Sequence, residues 1–111
     1  MTTVKLSKNL QNPRGVYSIP VTPFHEDGKL DLDSLRKCIE FCLEKGAHGI
    51  VMPVNASEVS TLTDEERTQV IKEGVKSVNG SVHFVAGVTG NSIEQVQESV
   101  KIVEDLGVDS I

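Results

Sequence analysis

Short apolar runs alternate with helical patterns along this chain, and that alternation restricts the fold more than any other feature. The clearest unit is residues 49–67, GIVMPVNASEVSTLTDEER. Gly49-Ile50-Val51-Met52-Pro53 reads as a buried strand and Asn55-Ala56-Ser57-Glu58 as a polar turn. Thr63, with Glu66 three residues on, is the start of a helix. That spacing is a capping box, in which the threonine oxygen accepts a first-turn backbone N–H while the glutamate accepts the threonine's own N–H. Strand, polar loop and capped helix make the repeating unit of α/β proteins, and barrels of such units assemble their active sites from the loops at the strand C-termini. The loop at Asn55 is the first candidate for chemistry.

The rest of the chain repeats the unit. A first strand leads into a loop over residues 15–24, complicated by Pro20, which removes a ladder donor. After the Asp27-Gly28 turn a helix is predicted over residues 32–45, capped by Asp31, with Leu32, Leu35, Ile39, Cys42 and Leu43 on one stripe and Gly46 as its stop. A second helix covers residues 64–77, with Val70, Ile71, Val75 and Val78 inward and Asn79-Gly80 at its end. Residues 83–87 form a third strand. A third helix starts at Ser92, with Gln95 completing a second capping box and Ile93, Val96, Val100 and Val103 inward, and it stops at Gly107. Residues 108–111 open a fourth strand. Strict β-α-β-α-β-α-β alternation calls for parallel strands and right-handed crossovers. Two architectures satisfy it: the opening half of a (β/α)8 barrel, or a small doubly wound sheet.

Charge and length exclude several roles. A net charge of −5 offers no clustered Lys and Arg for a nucleic-acid backbone. The apolar runs are strand-sized, too short to cross a membrane. Residues 1–14 read as a polar leader without the apolar core of a signal peptide, so the cytoplasm is the expected location. Cys38 and Cys42 share a helix face at a spacing unsuited to a disulfide and lack the partners of a metal site, so they read as free, buried thiols. His25, His48 and His83 are scattered, and neither a metal nor a cofactor is expected. The Gly87–Ser92 stretch resembles a phosphate loop only in its glycines and reads as a plain βα turn.

Three segments in the right order and spacing carry a resemblance: Ile19-Pro20-Val21-Thr22-Pro23-Phe24, Val54 to Arg67, and Ala86-Gly87-Val88-Thr89-Gly90-Asn91-Ser92. Together the chain resembles the dihydrodipicolinate synthase / N-acetylneuraminate lyase family of class I aldolases. The resemblance implies an α/β fold, the N-terminal half of a (β/α)8 TIM barrel, with about three and a half βα units, strands 1 to 4 and helices 1 to 3, over residues 15–111. It implies Schiff-base chemistry on pyruvate or a related 2-keto acid, by a lysine on a later strand and a tyrosine on the strand before it. It also implies that the loop after the second strand holds the substrate carboxylate through a Gly-Thr-Thr-Gly-Glu type motif. Here Val54 takes the first glycine's place, Asn55 the first threonine's, Ala56 the second's and Ser57 the second glycine's, while Glu58 is kept. Asn55, Ala56 and Ser57 are the expected carboxylate-binding residues, through backbone amides, the Asn55 amide and the Ser57 hydroxyl.

The departures point to a sugar-acid aldolase or dehydratase branch, because an asparagine amide does not relay a proton as a hydroxyl does. No catalytic residue is expected within the chain. Lys29, Lys37, Lys45, Lys72, Lys76 and Lys101 fall in turns or on helices, not on a strand where a desolvated amine would sit. The expectation is a fragment inactive alone; the alternative is a non-catalytic α/β module that binds an anionic ligand or a partner protein. An opened barrel leaves one sheet face bare, expected to carry Tyr17, Ile19, Val51, Phe84 and Ala86. About six such side chains, each forgoing roughly 1.5–3 kcal/mol of burial, come to on the order of 10 kcal/mol, so dimerisation through that face, aggregation or only partial order is expected of the isolated chain.

Overall fold

The computed structural model describes residues 13–111. Residues 1–12 of the expected leader lie outside the described residues. The elements run β1 (Tyr17–Ser18), α1 (Leu32–Glu44), β2 (Gly49–Met52), α2 (Asp64–Val78), β3 (His83–Ala86) and α3 (Ile93–Glu104). Two 3-10 turns, Asn55–Ser57 and Val59–Thr61, separate β2 from α2. The first strand is far shorter than the run over residues 15–24. Pro20 cannot donate to a ladder, and from Phe24 the chain turns back on itself, with Phe24 bridged antiparallel to Leu30.

All the strands are parallel, and they lie side by side in chain order, β1-β2-β3. Tyr17 pairs with Gly49, Ile50 with Phe84, and Met52 with Ala86. The chain then returns to the far edge of β3, where Val85 bridges Ser110 in parallel and the Asp109 N–H donates to the Phe84 carbonyl at 2.9 Å. The expected fourth strand is thus present as a single bridge. Strands in consecutive order mean that every crossover advances the same way, which puts successive helices on one side. A doubly wound sheet must reverse its strand order, and this one does not. One core joins Leu35 and Ile39 of α1, Ile50 and Met52 of β2, Val70, Ile71 and Val78 of α2, Phe84 and Ala86 of β3, and Val103 of α3.

That core corrects the expected bare face. Phe84 and Ala86 are 1% exposed and lie on the helix side with their register partners Ile50 and Met52. The opposite face carries Val51, Val85 and His83, with Tyr17 on the same side. A buried parallel strand is apolar on both faces, so its alternation gives no phase to read. Pairing corrects it: Val51 stands beside Val85, not Phe84.

Helix starts follow the expected chemistry. Asp31 accepts from the Ser34 N–H at 3.0 Å. Thr63 and Glu66 form the full capping box, at 3.1 and 2.9 Å. Ser92 accepts from the Gln95 N–H at 3.2 Å, but Gln95 accepts instead from the Asn91 N–H, one residue beyond the cap. The second box is therefore offset. In α3 only Val103 of the expected stripe is fully buried, and Ile93 is 73% exposed. This helix packs on α2 along one flank, and the single bridge at Ser110 gives it little sheet beneath.

Gly74 is the notch that lets α2 close on the sheet: a Cβ there would overlap the Phe84 ring. Replacing a helical glycine by alanine ordinarily gains about 1 kcal/mol. Here overpacking against a buried ring costs about 1–3 kcal/mol. Gly74→Ala should therefore lower the urea midpoint rather than raise it. The Asp31 carboxyl is held below its usual value by the Ser34 hydroxyl and the Ser34 backbone N–H, opposed by partial burial and helped by His25 and Lys37. A folded-state value below the unfolded one means the cap contributes fully above the ordinary carboxylate range and loses that contribution as pH falls through the lower folded value. Urea titrations at successive pH values below about 5 should show a shallower acid loss for Asp31→Asn than for the parent.

Candidate functional site

At the C-terminal end of β2 the backbone leaves the sheet through Pro53 and Val54 and winds into the 3-10 turn Asn55–Ser57. The Ser57 N–H donates to the Val54 carbonyl at 2.9 Å and the Glu58 N–H to the Asn55 carbonyl at 3.0 Å. Glu58 closes the turn in the left-handed region, φ 62°, uncommon for a residue other than glycine. The Asn55 and Ala56 N–H groups precede the first bond of this turn and take no protein acceptor among the described residues. Asn55 and Ala56 are exposed. Ser57 is fully buried, and its hydroxyl has no hydrogen-bond partner among the described residues.

Two other strand ends complete the neighbourhood. From the loop after β1, the Thr22 hydroxyl donates to the Ser57 carbonyl. From β3, the Gly87 N–H donates to the Met52 carbonyl at 3.2 Å, and a Cβ on Gly87 would overlap the Pro53 carbonyl oxygen. The loops after β2 and β3 therefore touch backbone to backbone. Between them opens a cleft of about 690 Å³, lined by Asn55, Val59, Ser60 and Leu62, by Asp64 and Arg67 of α2, and by Thr89, Gly90, Asn91, Gln95 and Ser99 on the other wall. Of the three expected carboxylate residues, only Asn55 lines this cleft. Arg67 is its one cationic side chain, and it is ion-paired with Asp64 of its own helix. The roles of Thr22 and Gly87 were not read from the sequence. Their signals were the Thr22-Pro23 pair at a strand exit and a glycine directly after an apolar run.

The remaining reactive side chains lie apart from the cleft. Tyr17 covers Gly49, and its hydroxyl lies 2.9 Å from the Nδ1 of His83, which is 1% exposed. His48 Nδ1 accepts from the Val16 N–H at 3.0 Å, and His25 Nδ1 lies 3.7 Å from Asp31. Cys38 and Cys42 are free and half-buried, with Cys42 packed on the core. Among the described residues the lysines lie on helices or at turns, none on a strand. No three His, Cys, Asp or Glu side chains cluster among the described residues, and no helix there is long and apolar enough to cross a membrane.

Comparison with known proteins gives a consistent result. A family model described as the Dihydrodipicolinate synthetase family matches residues 12–111. The 4-hydroxy-tetrahydrodipicolinate synthase of Methanococcus maripaludis strain C5 is 41% identical over 98 residues, which is 88% of this chain and 34% of that protein. Among solved structures, the chloride-inhibited dihydrodipicolinate synthase from Acinetobacter baumannii complexed with pyruvate is similar, with a TM-score of 0.80 and 40% identity over 86% of this chain and 34% of that one. The N-acetylneuraminate lyase from Mycoplasma synoviae has a TM-score of 0.78 and 29% identity over 86% of this chain and 33% of that one. The chain spans about a third of the length of these relatives, and its fold is the N-terminal part of their TIM barrel.

The contact between the two loops can be tested directly. Gly87→Ala places a Cβ against the Pro53 carbonyl, which is backbone and has no side-chain rotation to yield. The expected cost is about 1–3 kcal/mol, read as a fall in urea midpoint. Gly87 does not lie in the left-handed region, so the fall reads the clash with the Pro53 carbonyl and not a strained φ.

Proposed function

The chain belongs to the dihydrodipicolinate synthetase family, and from that premise we propose that it carries the carboxylate-binding corner of a Schiff-base-forming lyase, an aldolase or dehydratase, acting on pyruvate or a related 2-keto acid. The observation that carries this reading is the turn at the C-terminal end of β2. Two successive N–H groups there, of Asn55 and Ala56, are left without protein acceptors among the described residues at a solvent-exposed corner. A carboxylate is an acceptor-only group and needs oriented donors. In this reading the Asn55 and Ala56 amides and the Asn55 side chain supply them, while the Ser57 hydroxyl, without a hydrogen-bond partner among the described residues, stays buried behind the corner.

Schiff-base catalysis needs an uncharged amine to attack the keto carbon, expel water and form an iminium that draws electrons from the adjacent bond. The described lysines are on helices and turns, so the reading takes that amine from residues other than these. Residues 15–111 then act as a partial barrel that binds and orients but does not form the covalent bond. Ala56 lacks a hydroxyl and Asn55 carries an amide, so a proton relay through this corner is replaced by hydrogen bonding. That favours a branch other than the synthase.

Incubation with pyruvate and sodium borohydride, followed by intact-mass measurement, should leave the 111-residue chain unmodified. A stable adduct of reduced pyruvate on any of its lysines would contradict the division of labour. Self-association is the companion expectation, because the described helices pack on the face bearing Ile50, Met52, Phe84 and Ala86 and not on the one bearing Val51 and Val85. Sedimentation at micromolar concentration should give a dimer or larger species, and a compact monomer would count against it.

A further inference from the structure

The carboxylate turn is not held by its own βα unit alone. Thr22 is 4% exposed, and its hydroxyl donates at 2.5 Å to the carbonyl of Ser57, 35 residues away. Pro20 and Pro23 flank it, and their rings fix φ on both sides, so the arm carrying the hydroxyl is stiff. The acceptor is the carbonyl of the Ser57–Glu58 peptide. That peptide leads into the left-handed Glu58, a conformation that costs a non-glycine residue free energy and persists only where its surroundings impose it. Relaxing Glu58 would disturb this peptide and the Glu58 N–H to Asn55 carbonyl bond that closes the turn, at whose start the Asn55 and Ala56 N–H groups lie.

We propose that Thr22 is a positioning residue: its hydroxyl locks the Ser57–Glu58 peptide and so fixes the two donor amides at the carboxylate corner. The assignment of those amides to a carboxylate rests on the proposed function above; the anchoring itself rests on geometry alone. Thr22 touches no substrate in this account. It acts through the turn.

Amide hydrogen exchange on the 111-residue chain tests the anchoring, with Thr22→Val as the shape-conserving loss of the hydroxyl and Thr22→Ser as its restoration. In Thr22→Val the amides of Ser57, Glu58 and Val59 should lose protection by about tenfold, the size expected for one buried hydrogen bond. Val70 and Ile71 in α2 should keep theirs, and Thr22→Ser should recover the loss. Unchanged protection at Ser57–Val59, or a uniform loss that includes α2, overturns the proposal. A second titration with pyruvate follows the Asn55 and Ala56 amide shifts. Binding weakened about tenfold in Thr22→Val and recovered in Thr22→Ser supports the positioning role, and equal binding in all three proteins overturns it. If the parent chain shows no shift with pyruvate, the carboxylate assignment fails, and the exchange data still decide whether Thr22 anchors the turn.

Discussion

A parallel backbone ladder in chain order sets everything else in this molecule. Tyr17 beside Gly49, and Ile50 and Met52 beside Phe84 and Ala86, fix which face each side chain takes. Once strands follow one another without reversal, the helices must gather on one side and the strand C-termini must share one rim. Two close approaches make the ladder tight. Gly49 gives Tyr17 room on one face, and Gly74 gives Phe84 room on the other. Of the two, the Gly74 contact brings α2 onto the core face of the sheet, against Phe84 and Met52.

The rim inherits its geometry from that ladder. The loops after β1 and β3 both bond to the end of β2 and the turn that follows it: Thr22 to the Ser57 carbonyl, Gly87 to the Met52 carbonyl. The turn at Asn55–Ser57 is thus closed by its own backbone bonds and anchored by the adjacent βα unit through Thr22. The Asn55 and Ala56 amides, without acceptors among the described residues, and the left-handed Glu58 are where local preference and tertiary structure disagree, and such disagreements concentrate at functional sites.

Much of this was legible beforehand. The capping residues Asp31, Thr63 and Ser92 and the stops at Gly46 and Asn79-Gly80 are local chemistry, and local chemistry is written in neighbouring residues. The helix stripes of α1 and α2 follow from period. Three things were not legible. The phase of β3 was lost because both its faces are apolar, so Phe84 and Ala86 were assigned to the wrong side. The length of β1 was lost because Pro20 ends pairing without ending the apolar run. The burial of Ser57 and the reach of Thr22 were lost because a hydrogen bond spanning 35 positions leaves no periodic trace. Ile93 of α3 shows the same limit from the other side, since a helical stripe says which face is apolar and not whether anything covers it.

The central claim is the consecutive order of the strands, and through-space NMR contacts between their backbones test it most directly. The account predicts contacts from β2 to both β1 and β3, Tyr17 to Gly49 and Ile50 to Phe84, together with Val85 to Ser110 at the far edge. Contacts that place β1 directly beside β3, or Ser110 beside β1, would contradict it. They would replace the opening of a barrel by a sheet that winds in two directions.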